Sequence, residues 1–178
     1  FLITLIILLS LASMLGFMGW VYHFTLLEAF FFTLNNTSMP IVLLTIANSD
    51  GVHFVSRFFR ELREKINVNK AIKSTMDHLF YPITLTSITT ASAFLCLWFS
   101  PIKGMNGYGA TVAFGIMWAW ALSLTLLPAL ISLIPWDPKS KFITKPGKLE
   151  KVVIYFGSLV MKYPKKILSF GLTIIFIA

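Results

Sequence analysis

Apolar residues in this chain come in runs too long and too dense for the one-sided stripe of a surface helix. A hydrocarbon core of about 30 Å takes roughly 20 helical residues. Five stretches meet or approach that length, at about 1–22, 39–59, 79–99, 108–134 and from 167 to 178. The pattern predicts an all-α, polytopic transmembrane helix bundle with five spans. Pro40 and Pro82 fall near the starts of the second and third spans, where a missing N–H leaves no helical bond unmade. Pro101 and Pro135 close the third and fourth. The sequence opens at Phe1 and closes at Ala178 inside apolar runs, which reads as a segment of a longer protein. The opening run has no basic leader and no small-residue cleavage site, so it reads as a span and not as a signal peptide.

Residues 1–135 thus form the expected bundle, 136–166 a polar linker, and 167–178 the start of a further helix. Within the linker, Leu149, Val152, Val153, Phe156, Leu159 and Val160 repeat at i, i+3, i+4, i+7. That stripe predicts an amphipathic helix at about 148–162, lying along the membrane interface. Its plain role is a connector between helix groups. A regulatory or docking role is the alternative.

Composition agrees: 57% of the 178 residues are hydrophobic and 12% are charged, against about 25% charged in soluble domains. The net charge of +8 is a topology signal and not a nucleic-acid footprint. Arg57, Arg60, Arg63, Lys65, Lys70 and Lys73 follow the second span, and eight lysines from Lys139 to Lys166 follow the fourth. The two other loops, 23–38 and 100–107, hold only Lys103. Basic loops stay on the cytoplasmic side, so 57–77 and 136–166 are expected there, and the spans alternate accordingly. Arg57/Glu61 and Arg60/Glu64 stand at i, i+4, which makes the first of these loops partly helical. The single Cys96 lies in an apolar run and carries no redox information.

Asp50 is the one acidic residue inside a proposed span, about 11 residues into the second helix and near mid-membrane at 1.5 Å per residue. A carboxylate there costs at least about 2.5–3.5 kcal/mol, so it must face other helices or a water-filled cavity. Such a group can carry a proton if water reaches it from each side in turn. The plainer reading is an inter-helix hydrogen bond. His53 shares its face and can exchange a proton with it. Asn48 and Ser49 add polarity at the same depth. On the third span Thr84, Thr86, Ser87, Thr89 and Thr90 are possible polar partners, unless their hydroxyls bond back to their own helix. Gly109, Thr111, Ala113, Gly115 and Ala119 on the fourth span form a small-residue stripe suited to close helix packing. Trp20, Trp98, Trp118 and Trp120 read as lipid-facing or interfacial. The sequence shows no Cys/His metal cluster, phosphate-binding glycine loop or Ser/His/Asp set, and one intramembrane carboxyl is too few for an aspartyl protease. No enzyme activity, metal or cofactor is expected.

The stretch Ile46-Ala47-Asn48-Ser49-Asp50-Gly51-Val52-His53, running on through Ser56-Arg57-Phe58 to Glu61, resembles the fourth helix of resistance-nodulation-division exporters of the hydrophobe/amphiphile, MmpL-like group. Pro82 through Phe94 resembles the fifth helix of that family. Gly107-Tyr108-Gly109 through Leu126-Leu127-Pro128-Ala129-Leu130 resembles its sixth. The resemblance spans the chain as the family's third to seventh helices. It implies proton-motive-force-driven export of lipids or other hydrophobic and amphiphilic compounds across a bacterial cytoplasmic (inner) membrane. Asp50, His53, Ser49 and Asn48 are then the candidate proton relay. Membrane lipids, the substrate, the remaining helices and extracytoplasmic domains of the same protein, and a homo-oligomer are the implied partners, with no nucleic acid. Aligned on His53, the family's usual Asp falls on Ser49 and its usual Tyr on Asp50, about 100° around the helix. A sterol-sensing or Patched-like lipid-binding module and a SecD/SecF-like translocation subunit share the helical plan and are the alternatives.

Overall fold

In the computed structural model of the chain, the described residues are 1–32, 34–65, 67–102, 104–136 and 162–163, with only the backbone described at 35 and 65. Four long helices follow one another: α1 (Leu2–Thr25), α2 (Met39–Lys65), α3 (Val68–Leu95) and α4 (Met105–Leu133). Short 3-10 turns at Glu28–Phe30, Leu34–Ser38 and Cys96–Phe99 join them. Among the described residues there is no strand. All four helices belong to one compact unit, Phe1–Pro138, and a second unit comprises Lys139–Ala178. The linker helix expected at 148–162 and the span expected from 167 lie outside the described residues, except for position 162.

Among the described residues, three helices are long and apolar enough to cross a membrane: Leu2–Thr25, Met105–Leu133, and α3 with its 3-10 extension, Val68–Phe99. At 27 residues α2 is long enough too, but Asp50, His53 and a charged C-terminal third lower its hydropathy. It is held among the others, touching α1, α3 and α4. A helix of that length spans about 40 Å, more than the hydrocarbon core. The polar segment 57–77 is accordingly helical up to Lys65 and again from Val68. Asn67 caps α3 by accepting a hydrogen bond from the Lys70 amide at 3.2 Å, which satisfies one of the free N–H groups of a first turn. Arg57 and Glu61 form an ion pair at 2.7 Å, so the i, i+4 spacing is realised on the helix and keeps the buried Glu61 carboxylate paired.

Pro82 stands well inside α3, not at a helix start as its place in the apolar run suggests. α3 begins in the polar segment, at Asn67, so the apolar run is entered mid-helix. Proline denies the His78 carbonyl its usual amide partner. Membrane helices tolerate this when hydroxyl side chains and neighbours compensate.

α4 is the hub, in contact with α1, α2 and α3. Gly109, Thr111, Ala113, Gly115 and Ala119 are all buried. A Cβ at Gly107 would collide with the Ala29 carbonyl, and one at Gly109 with the Phe94 carbonyl and Leu97. At Gly115 it would meet the Met14 sulfur at 2.8 Å. Met14, Met18, Met39, Leu43, Val112 and Ile116 fill the space between α1, α2 and α4. The Phe17 ring stacks on Phe114, with centroids 4.1 Å apart. Trp20, Trp98 and Trp118 are exposed. Trp120 differs from its lipid-facing expectation: it is half-buried, and its indole N–H donates to the Thr84 hydroxyl at 3.0 Å, tying α4 to α3. An indole donor in lipid needs an acceptor, and α3 supplies one.

The glycine contacts generate a prediction. Backbone carbonyls cannot step aside as a methionine side chain can. Gly109→Ala should therefore destabilise the bundle by about 1–3 kcal/mol, the range for overpacking, whereas Gly115→Ala should cost less. Thermal unfolding of the purified variants in detergent checks this, and equal midpoints for the two would contradict the packing described.

Candidate functional site

A cavity of about 470 Å³ lies between α2 and α3. From α2 it is lined by Thr45, Ile46, Ser49, Asp50 and His53, and from α3 by Leu79, Pro82, Ile83, Thr86, Ser87 and Thr90. Helical geometry explains the set. Thr45, Ser49 and His53 recur every four residues on α2, and Pro82, Thr86 and Thr90 do so on α3. Each series forms one stripe along its helix, and the two stripes face each other.

Asp50 is the buried member on the α2 side, 9% exposed. His53, on the next turn, is near enough to interact with its carboxyl electrostatically, and Ser87 approaches it from α3. Gly51, beside Asp50, packs against Ile3 of α1, so α2 sits close to α1 on one side and opens the cavity on the other. Asn48 does not join the lining and is exposed. Two positions before Asp50, it points about 200° away around the helix. Thr89 is likewise exposed and outside the lining.

The threonine hydroxyls of α3 mostly return to their own helix. Thr86 donates to the carbonyls of Pro82 (3.1 Å) and Ile83 (2.9 Å). Thr89 donates to Leu85 at 2.9 Å, and Thr90 to Thr86 at 2.6 Å. Thr84 accepts from Trp120. Ser87 is the exception: 2% exposed, its hydroxyl makes no hydrogen bond within the usual distance and angle limits, though it lies beside the Asp50 carboxyl. Sequence reading offered the α3 hydroxyls as one cluster. It missed the lining roles of Thr45 and Pro82, which the four-residue spacing would have revealed.

The site therefore brings one carboxyl, one imidazole and the Ser49 and Ser87 hydroxyls to a largely apolar space between α2 and α3. Among the described residues no group of three or more His, Cys, Asp or Glu side chains is placed to hold a metal ion. The chemistry available to this set is reversible protonation of Asp50, with His53 and cavity water as exchange partners.

Residues 1–167 match the model of the MMPL family. Over 90 residues the chain is 32% identical to a membrane protein of Methanocaldococcus jannaschii, MJ1562, an alignment covering 51% of this chain and 23% of that protein. Over 84 residues it is 27% identical to the hopanoid transporter HpnN of Rhodopseudomonas palustris, covering 47% of this chain and 10% of the transporter. The aligned stretches are thus less than a quarter of either relative's own length. The match along most of the chain and the bundle of long apolar helices lead to one assignment: this is a polytopic helical membrane protein belonging to the MMPL family, within the resistance-nodulation-division superfamily.

Proposed function

We propose that this chain supplies part of the membrane machinery of a proton-driven exporter of lipids or other hydrophobic, amphiphilic compounds, with Asp50 as the proton carrier. One observation carries the reading: a single buried carboxyl opens onto a cavity between two long helices, with an imidazole one turn away and hydroxyl side chains on both walls. Family membership and likeness to a protein named as a hopanoid transporter support lipid-like cargo. The shift of the carboxyl by one position from the family's usual place does not move it out of the bundle, because α2 turns Asp50 toward α3. In this reading the basic ends of α2 and α3 stay in the cytoplasm, and the chain works with the remaining helices and extracytoplasmic domains of its parent protein.

A second reading, a bundle that binds lipid without pumping, draws on another cavity. It measures about 530 Å³, lies at the N-terminal end of α2, and is walled mainly by Leu34, Ile41, Leu97, Met105 and Tyr108. Lipid binding that persists after the proton gradient is collapsed would favour that reading.

The test is Asp50→Asn in the full-length parent protein. Asparagine keeps the shape and cannot take up a proton. Export should be abolished, while expression is retained and the unfolding midpoint stays within the few degrees that about 1 kcal/mol represents. Normal export by this variant at normal expression would overturn the proton-carrier role.

A further inference from the structure

Among the hydroxyl side chains of α3, Ser87 is set apart by what its neighbour does. In an α-helix a serine usually quiets its hydroxyl on the carbonyl four residues back. Ser10 does so on Ile6 at 2.8 Å, and Ser92 on Ile88 at 2.8 Å. For Ser87 that carbonyl belongs to Ile83. The Ile83 oxygen already receives the Ser87 amide through the helix ladder and the Thr86 hydroxyl at 2.9 Å. The Thr86 hydroxyl therefore competes with Ser87 for that oxygen.

The Ser87 hydroxyl is buried, 2% exposed, and makes no hydrogen bond on its own helix. It lines the cavity that Asp50 enters from the facing helix. Leaving a buried hydroxyl without a partner costs about 1–3 kcal/mol, which pulls it toward an acceptor within reach, and the Asp50 carboxyl stands beside it across the cavity.

We infer that Ser87 is a positioning residue for Asp50: its hydroxyl donates to the carboxyl, directly or through one cavity water, and Thr86 keeps it available by occupying the Ile83 carbonyl. The role of Thr86 is thus indirect. The device fixes where the carboxyl points, and so which side of the cavity its proton enters or leaves. This inference rests on Asp50 being the group that takes up a proton.

Infrared difference spectroscopy of the chain in lipid nanodiscs, between alkaline and acid buffer, tests it. The carboxylic C=O band that disappears in Asp50→Asn belongs to Asp50. Ser87→Ala should move that band to higher frequency, because a carbonyl that loses a donor stiffens. Thr86→Val should move it the same way, since Ser87 can then turn back to Ile83. Ser92→Ala, on the same helix and outside the cavity, should leave it in place. An Asp50 band unmoved by Ser87→Ala would overturn the inference while leaving the carrier role standing. A band that shifts in Ser87→Ala but not in Thr86→Val would overturn the part given to Thr86. If no carboxyl band depends on Asp50 at any pH, the carrier role fails, and the inference with it.

Discussion

A carboxyl group at membrane depth must not meet hydrocarbon, and much of this bundle is arranged around that requirement. Exposure of an ionised acid to lipid costs several kcal/mol, a large share of the margin by which proteins are stable at all. Asp50 avoids it by lying on the face of α2 that looks at α3, with polar side chains on the facing helix and 9% of its surface accessible. The helix that carries it is the least apolar of the four, and like α4 it touches all three others. Its one carboxylate inside the apolar stretch is turned away from the exposed face of the helix.

Holding α2 in place falls to α4. Glycine positions along α4 let it lie against backbone, at the Ala29 and Phe94 carbonyls, where any side chain would collide. Close approach increases dispersion contact, the main attraction left between helices in a solvent as apolar as they are. The Trp120–Thr84 hydrogen bond adds a directional tie between α4 and α3. The apolar packing of α1, α2 and α4 around Met14, Met39 and Leu43 leaves Asp50, Ser49, Ser87 and the neighbouring threonines gathered at the α2–α3 interface.

Much of this was legible in the sequence. Long apolar runs revealed the helices, because lipid leaves a chain no other way to satisfy its backbone. Asp50 and His53 stood out because polar groups are rare at that depth. The role of the individual α3 hydroxyls was not legible. Thr86, Thr89 and Thr90 differ from Ser87 only in which carbonyl is free within reach, and that depends on the exact turn of one helix against another. The continuation of α2 and α3 into the polar segment, and the placement of Pro82 inside a helix, were also hidden. Hydropathy marks where the membrane ends, and capping by Asn67 and the Arg57–Glu61 pair carry the helices further. Asn48 and Thr89 show the limit of reading by depth alone, since helical phase and not depth decides what lines a cavity.

The central claim is that water reaches the α2–α3 seam at the level of Asp50 and not the outer faces of the same helices. Cysteine labelling with a small, water-soluble thiol reagent measures this directly in a Cys96→Ser background. Ser49→Cys and Thr90→Cys line the cavity, while Val52→Cys and Ile88→Cys lie at similar depth on exposed faces outside it. The account predicts labelling at the first pair and protection at the second, whose faces meet lipid. Equal protection of all four, or labelling of Val52→Cys and Ile88→Cys alone, would contradict it.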